Sequence, residues 1–181
     1  MGNLLRVVFA LALLGCAPTW KSVRQAEPNP FTGLRAGYVV EPFDFSELAI
    51  GEGTEADYLA TKDEKQRESW AEDKRATEET FARSLETAAR DKGITVEPAR
   101  GAAAPFRIAA KVTFWEPGWY GGKASEIRIV VAIEDASGKA LDVLRLEHRT
   151  AAGFSSGARA RLLGSLAGSS LADYLAERVG P

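Results

Sequence analysis

The chain has 181 residues, 45% of them hydrophobic, with 23 basic and 25 acidic side chains for a formal net charge of −2. That length suits one domain plus a tail, with a single hydrophobic core, and the near-neutral balance argues against a nucleic-acid binder, which gathers a basic excess on one face. One cysteine makes no intramolecular disulfide, and one histidine with one cysteine builds no ordinary zinc site.

Residues 1–15 carry Arg6 as their only charge, and Val7 to Gly15 is an uninterrupted apolar run. The run is too short for a bilayer-crossing helix, which takes about 20 residues. A short basic start followed by a short apolar stretch is how a secretory signal is built. It ends at the only cysteine, in Leu13-Leu14-Gly15-Cys16.

That junction resembles the lipobox of bacterial lipoproteins, with Leu13 three positions before the cysteine and a small Gly15 directly before it. Leu14 departs mildly from the smaller residues common between them. The resemblance implies cleavage after Gly15, a diacylglyceryl thioether on Cys16 and acylation of the new amine. One acyl chain anchors marginally, whereas two or more anchor stably. Ala17, rather than an aspartate, follows the cysteine. By resemblance to sorting in enteric bacteria, the lack of an aspartate there permits transfer to the outer membrane, the expected destination. Myristoylation at Gly2 does not fit, because Arg6 stands where its pattern wants Ser or Thr. Loss of residues 1–15 removes only Arg6, leaving 22 basic and 25 acidic residues, or −3.

Residues 16–36, with Pro18, Pro28, Pro30 and Gly33 after Cys16 and no sustained periodicity, read as a lipidated tether. As a flexible coil it would span about 25 Å. Trp20 suits either a resting place at headgroup level or docking on the domain. A single α/β domain is expected over residues 37–181. Its first strand runs from Gly37 to Phe45, where continuous bulk suits a strand covered on both faces. Thr61-Lys62-Asp63-Glu64 predicts a capping box opening a helix to about Lys92, with Trp70, Phe81, Leu85 and Ala88 on its apolar stripe. Asp63–Arg67 and Glu79–Arg83 are spaced as i,i+4 pairs on a solvated charged face, and Gly93 stops the helix.

Ile94 to Val96 forms a short strand, and two alternating strands follow, over residues 106–114 and 127–133. Asp135 to Lys139 supplies a turn with Gly138 free to take a positive φ. The returning arm, Leu141 to Arg149, loses alternation at Val143-Leu144, which predicts a bulge or a sheet edge there. Ala158 to Val179 closes the chain as a helix whose Gly164 and Gly168 let it pack closely on the sheet. The order β-α-β-β-β-β-α describes an α+β, two-layer fold with an antiparallel or mixed sheet.

Four segments are weighed for chemistry. Gly153-Phe154-Ser155-Ser156-Gly157 matches GxSxG between a strand and a helix, which makes Ser155 a candidate nucleophile of a small serine hydrolase. The only histidine, His148, lies upstream of Ser155, against the order of that hydrolase fold, and Ser155 or Ser156 equally well caps the last helix. His148, between Glu147 and Arg149, reads as a surface or rim residue. Gly51-Glu52-Gly53-Thr54-Glu55-Ala56 approaches GxGxxA, but its two glutamates repel a pyrophosphate. In residues 115–122, Pro117-Gly118 turns between strands amid Trp115, Trp119 and Tyr120, a candidate partner surface, although Trp115 and Trp119 also suit a place folded back over the sheet, Trp115 the more so. No catalytic residue, metal or cofactor is expected.

The domain resembles a group of bacterial envelope lipoproteins of unassigned role that share a long polar helix and five further features. Here these are Cys16, Val39-Val40-Glu41-Pro42-Phe43, Pro117-Gly118, Asp135 with Gly138, and the closing helix. Its plan is similar to the TolB amino-terminal domain and to lipoprotein activators of penicillin-binding proteins. The resemblance implies a non-catalytic binding or assembly domain, held to the membrane through Cys16, with an envelope protein as partner. A place in an envelope transport or assembly complex is a further expectation, and oligomeric state is left open.

Overall fold

Three long strands carry the alternation expected of a sheet buried on one face. They are β6 (Phe106–Glu116), β7 (Glu126–Asp135) and β8 (Ala140–Arg149). In β7, Ile127, Ile129, Val131 and Ile133 are fully buried while the residues between them are partly exposed. That period of two places every second side chain under the helices. The turn between β7 and β8 forms as its residues dictate. Asp135 and Lys139 close it through the backbone, and Gly138 takes φ +81°.

The computed structural model describes residues 19–99, 104–118, 122–151 and 155–181. It is an α+β, two-layer fold: a mixed sheet of eight strands with two long helices packed on one face. The remaining strands are β1 (Trp20–Arg24), β2 (Tyr38–Val40), β3 (Ala49–Ile50), β4 (Gly53–Thr54) and β5 (Val96–Pro98). The main order is β1-β8-β7-β6-β2-β5. β2 and then β3 lie parallel to successive halves of β6. The expected first strand is therefore shorter than Gly37 to Phe45. Pro42 lacks an amide hydrogen and interrupts the ladder, yet the chain stays beside β6 through Asp44, whose amide donates to Ala110 O.

A short helix, α1 (Glu55–Ala60), precedes the long α2 (Glu64–Asp91). Thr61 ends α1, and the capping box of α2 is built by Asp63 with Gln66, two residues beyond the start read from the sequence. The buried stripe of α2 is Trp70, Asp73, Thr77, Phe81, Leu85 and Ala89, so Ala89 replaces Ala88 and two polar side chains interrupt the apolar row. Gly93, at φ +72°, ends α2 as expected. The Gly93 amide donates to Arg90 O and the Ile94 amide to Ala89 O, the paired bonds of a Schellman cap.

The closing helix, α3 (Ser156–Val179), turns Leu163, Ala167, Leu171 and Tyr174 into the core, all fully buried. Gly164 and Gly168 do not serve the sheet. A Cβ at Gly164 would overlap the Thr77 carbonyl oxygen, and one at Gly168 would overlap the Phe81 carbonyl oxygen and lie 2.9 Å from the Leu85 amide nitrogen. The pair instead sets the close approach of α3 to α2, backbone against backbone.

The bulge expected at Val143-Leu144 falls elsewhere. Leu141 is the extra residue of β8 against β7, and Val23 is the extra residue of β1 opposite Val143 and Leu144. β8 is also not the edge, because β1 pairs antiparallel beside it.

The strand β1 corrects the expected tether. Residues 19–36 belong to the folded domain, whose lower boundary is not residue 37. Phe31 is fully buried against Tyr38 and Phe106, at centroid distances of 6.3 and 5.1 Å. Trp20 docks edge-on against Tyr174 at 6.1 Å. Polar bonds do the rest. The Ala26 amide donates to Asp142 Oδ1 at 2.7 Å, Asn29 Nδ2 to Arg178 O at 2.6 Å, and the Gly33 amide to Val179 O at 2.8 Å. A segment held by such bonds to distant elements needs no hydrophobic period of its own, which is why the sequence reads as a linker.

Candidate functional site

One pole of the domain gathers the turn after β6, the last residues of β8, the first turn of α3 and the α1–α2 junction. A cavity of about 160 Å³ opens there, between Tyr58, Lys62, Trp70, Asp73, Pro117 and Arg159 among its walls.

Arg159 is the central brace. Its side chain is 4% exposed, and its Nε donates to Ser125 Oγ at 2.8 Å and to Pro117 O at 3.2 Å. Ser125 in turn donates to Pro117 O and, through its own carbonyl, accepts from the Thr150 amide at 2.9 Å. Gly118 takes φ +66°, with the backbone of Lys123 and Ala124 pressed against the place a Cβ would occupy. The neck of the β6–β7 turn is thus fixed by an arginine from α3 and by a glycine that nothing larger can replace without movement.

Asp73 faces the same cavity from α2. Burial raises its carboxyl above the ordinary carboxylate range, opposed by a hydrogen bond with Ser156 and by the charges of Arg159 and Arg161. Beside it, Trp70 donates its indole N–H to Glu55 Oε1 at 2.6 Å, an oxygen that also accepts from Lys74 at 2.6 Å. Tyr58 packs at a tilt against Trp70, ring centroids 5.2 Å apart, with the Lys62 ammonium 4.6 Å from the Tyr58 ring centre.

Trp115 is not part of a partner surface. It is 2% exposed and packs against Trp70 at 4.7 Å, completing the core under β6. Trp119 and Tyr120 lie outside the described residues, as do Cys16 and the Gly15–Cys16 junction. Gly153 and Phe154 also lie outside them. Ser155 caps α3, its hydroxyl accepting from the Ala158 amide at 3.3 Å. The GxGxxA-like stretch forms the β3–β4 turn and the start of α1, where Thr54 and Asp57 make a capping box.

His148 is not a rim residue. It is the inward-facing partner of Ile127 and is 6% exposed. Its Nε2 finds no hydrogen-bond partner among the described residues, and Thr150 Oγ1 nearby in the chain is in the same position. No Ser155–His148 hydrogen bond therefore exists in this arrangement. Burial holds the His148 pKa below its ordinary value of 6.5. The folded state thus prefers the neutral ring, so His148 favours folding above about pH 6.5 and disfavours it progressively as pH falls. Asp73, with its raised pKa, acts in the opposite sense. It favours folding at the acid end and gives this up as pH rises through its folded value. We expect the melting temperature to fall between about pH 7.5 and about pH 5.5, and His148→Leu to flatten that fall. Parallel melting curves of both proteins across this range, with equal slopes, would remove His148 as the cause.

Asp73, Ser125 and Arg159 were not singled out in the sequence. The available signal was position: Asp73 sits three residues after Trp70 and four before Thr77, where the apolar stripe of a helix demands a buried side chain. Among the described residues there is no group of three His, Cys, Asp or Glu side chains placed to hold a metal. Nor is any described helix long and apolar enough to cross a membrane.

No protein-family model and no curated protein sequence matches the chain. Among solved structures, it is similar to the PelC dodecamer from Paraburkholderia phytofirmans, at 14% identity and a TM-score of 0.48 over 83% of this chain and 96% of that one. It is also similar to protein XCC0632 from Xanthomonas campestris, of the DUF330 family, at 12% identity and a TM-score of 0.45 over 85% and 89% of the two chains. Both scores are too low to carry the assembly or role of either protein to this chain.

Proposed function

We propose that the protein is a lipid-anchored envelope protein, acylated at Cys16 after cleavage behind Gly15, whose domain binds or helps assemble an envelope partner without catalysing a reaction. The outer membrane is its proposed site. The observation that carries the anchor is the lipobox-like Leu13-Leu14-Gly15-Cys16 at the end of the apolar run, and the described fold engages the chain close behind it. Thr19, three residues after Cys16, is already hydrogen-bonded to Ser170 of α3. A lipid on Cys16 would therefore hold the domain itself, not the end of a long leash.

The binding half of the proposal rests on the β6–β7 turn. Its neck is braced by Arg159 and Ser125, and it carries Trp119 and Tyr120. Aromatic side chains on a rigid base are enriched where partners bind, because little conformational entropy is lost on contact.

Two variants test the two halves. Cys16→Ser is expected to release the protein from the membrane fraction or leave an unprocessed precursor; unchanged fractionation overturns the anchor. Trp119→Ala with Tyr120→Ala is expected to abolish cross-linking to the envelope partner that the wild type captures, with an unchanged melting temperature. Equal capture of that same partner overturns the binding surface.

A further inference from the structure

The corner where the chain leaves toward Cys16 has a chemistry of its own. Thr19 Oγ1 is hydrogen-bonded to Ser170 Oγ, so the start of β1 is fastened to the flank of α3 that bears this buried serine. Only Ala17 and Pro18 separate Thr19 from Cys16. Three residue steps span at most about 11 Å even when fully extended.

One and two helical turns before Ser170, on the same flank, stand Leu166 and Leu162, 37% and 39% exposed. They are two of the four large hydrophobic side chains left exposed among the described residues. Residues spaced by four on a helix form one row, with about 6 Å of rise between neighbours. The row Leu162–Leu166 therefore runs along α3 and ends at the anchor point. Trp20, half-buried on Tyr174, lies at the same corner.

Charge at this corner is also arranged for a surface. Lys21 and Arg145 are direct register partners across the β1–β8 pair, two cations facing one another. Like charges directly opposite in a sheet are unfavourable unless an anion relieves them. Glu147, two residues along β8 from Arg145, lines the same hollow as Trp20, Lys21 and Arg145. Long basic side chains beside a tryptophan and exposed leucines match the boundary between phosphate headgroups and acyl chains.

We infer that the α3 flank bearing Leu162 and Leu166, with Trp20, Lys21 and Arg145 at its end, is the face that lies on the lipid bilayer. The inference rests on acylation of Cys16 as proposed above, since the short covalent reach is what brings this corner to the membrane. The occupant is the phospholipid surface and not a protein. The domain lies with the β1 edge of the sheet and the neighbouring flank of α3 against the membrane, the open face of the sheet meeting it only at that edge, where Lys21 and Arg145 stand.

The test uses the full acylated protein reconstituted in phosphatidylethanolamine–phosphatidylglycerol vesicles. A polarity-sensitive fluorophore is placed at Leu166→Cys or, separately, at Ser137→Cys on the β7–β8 turn; the acylated wild type, whose only cysteine is in thioether linkage, serves as the blank. Mass spectrometry of Cys16 reports acylation independently. With acylation intact, shallow brominated lipids are expected to quench most of the emission at position 166 and leave position 137 unchanged. Equal quenching at the two positions, or stronger quenching at 137, overturns the inference while leaving the anchor standing. A blue-shifted but unquenched label at 166 that responds to protein concentration also overturns it, since a second copy then covers the leucines. Absence of the acyl mass at Cys16 overturns the anchor and this orientation together.

Discussion

Gly168→Ala is expected to destabilise the protein by about 2–3 kcal/mol, and Gly164→Ala by a similar amount. In an exposed helix the same change would stabilise by about 1 kcal/mol, because alanine is the better helix former. Here that gain is outweighed by collision. The new methyl at 164 meets the Thr77 carbonyl and the one at 168 meets the Phe81 carbonyl and the Leu85 amide. These are backbone atoms inside α2, so no side chain can swing aside, and relief requires the helices to part. Parting them uncovers Phe81 and Leu85, both essentially fully buried. Gly157→Ala is the control, since its Cβ would lie 3.4 Å from the nearest atom, an Asp73 carboxylate oxygen. Urea unfolding of the three variants checks this. A Gly168→Ala protein as stable as Gly157→Ala would mean that the helices are not held this closely.

Asp142→Ala is expected to cost about 3–5 kcal/mol, the range for removing one member of a buried ion pair. Asp142 is wholly buried and lies 2.8 Å from Arg178 Nε. Its Oδ2 also accepts from Tyr174 at 2.6 Å, and its Oδ1 from the Ala26 amide at 2.7 Å. Removal strands an 8%-exposed guanidinium and a backbone amide at once. Burial first, then the neighbouring carboxylate, hold the Tyr174 hydroxyl well above the usual tyrosine range, so it remains a donor at any physiological pH. Asp142→Asn retains the shape and an acceptor and is expected to lose less, with Arg178→Met in its background recovering part of the deficit. Calorimetry of the single and double variants gives the coupling; strict additivity would show that the two side chains act independently.

The regular parts of this fold were legible because their burial is periodic. The alternation of Ile127 to Ile133 and the stripe through Trp70, Phe81 and Leu85 follow from side chains facing one layer. What escaped is held by bonds between elements far apart in the chain. Neither Asp142 in a strand nor Asn29 in a proline-containing stretch carries a local sign that it will meet Arg178. His148 escaped for a related reason: its neighbours Glu147 and Arg149 are exposed, and charged flanks suggested a rim, although β8 had turned the ring inward. At the candidate pole, Pro117-Gly118 marked the turn correctly. The arginine bracing it comes from a helix more than forty residues later, and nothing local to either segment announces the pairing.

The fastening of residues 19–36 to β8 and α3 also sets an order in time. β1 pairs with residues 143–146, and Asn29 and Gly33 bond to residues 178 and 179, separations of well over a hundred positions. Contacts that distant form late, because the loop they close is entropically unfavourable until the intervening chain is structured. Residues 19–36, made before the strands and helix they dock on, are therefore among the last to settle. Until α3 is complete, Asp142 and Arg178 have not met, and the stretch behind Cys16 has no surface to dock on. Acylation of Cys16, as proposed, would meet a chain whose neighbouring strand is still free, and the domain would draw in against that anchor only once its final helix is in place.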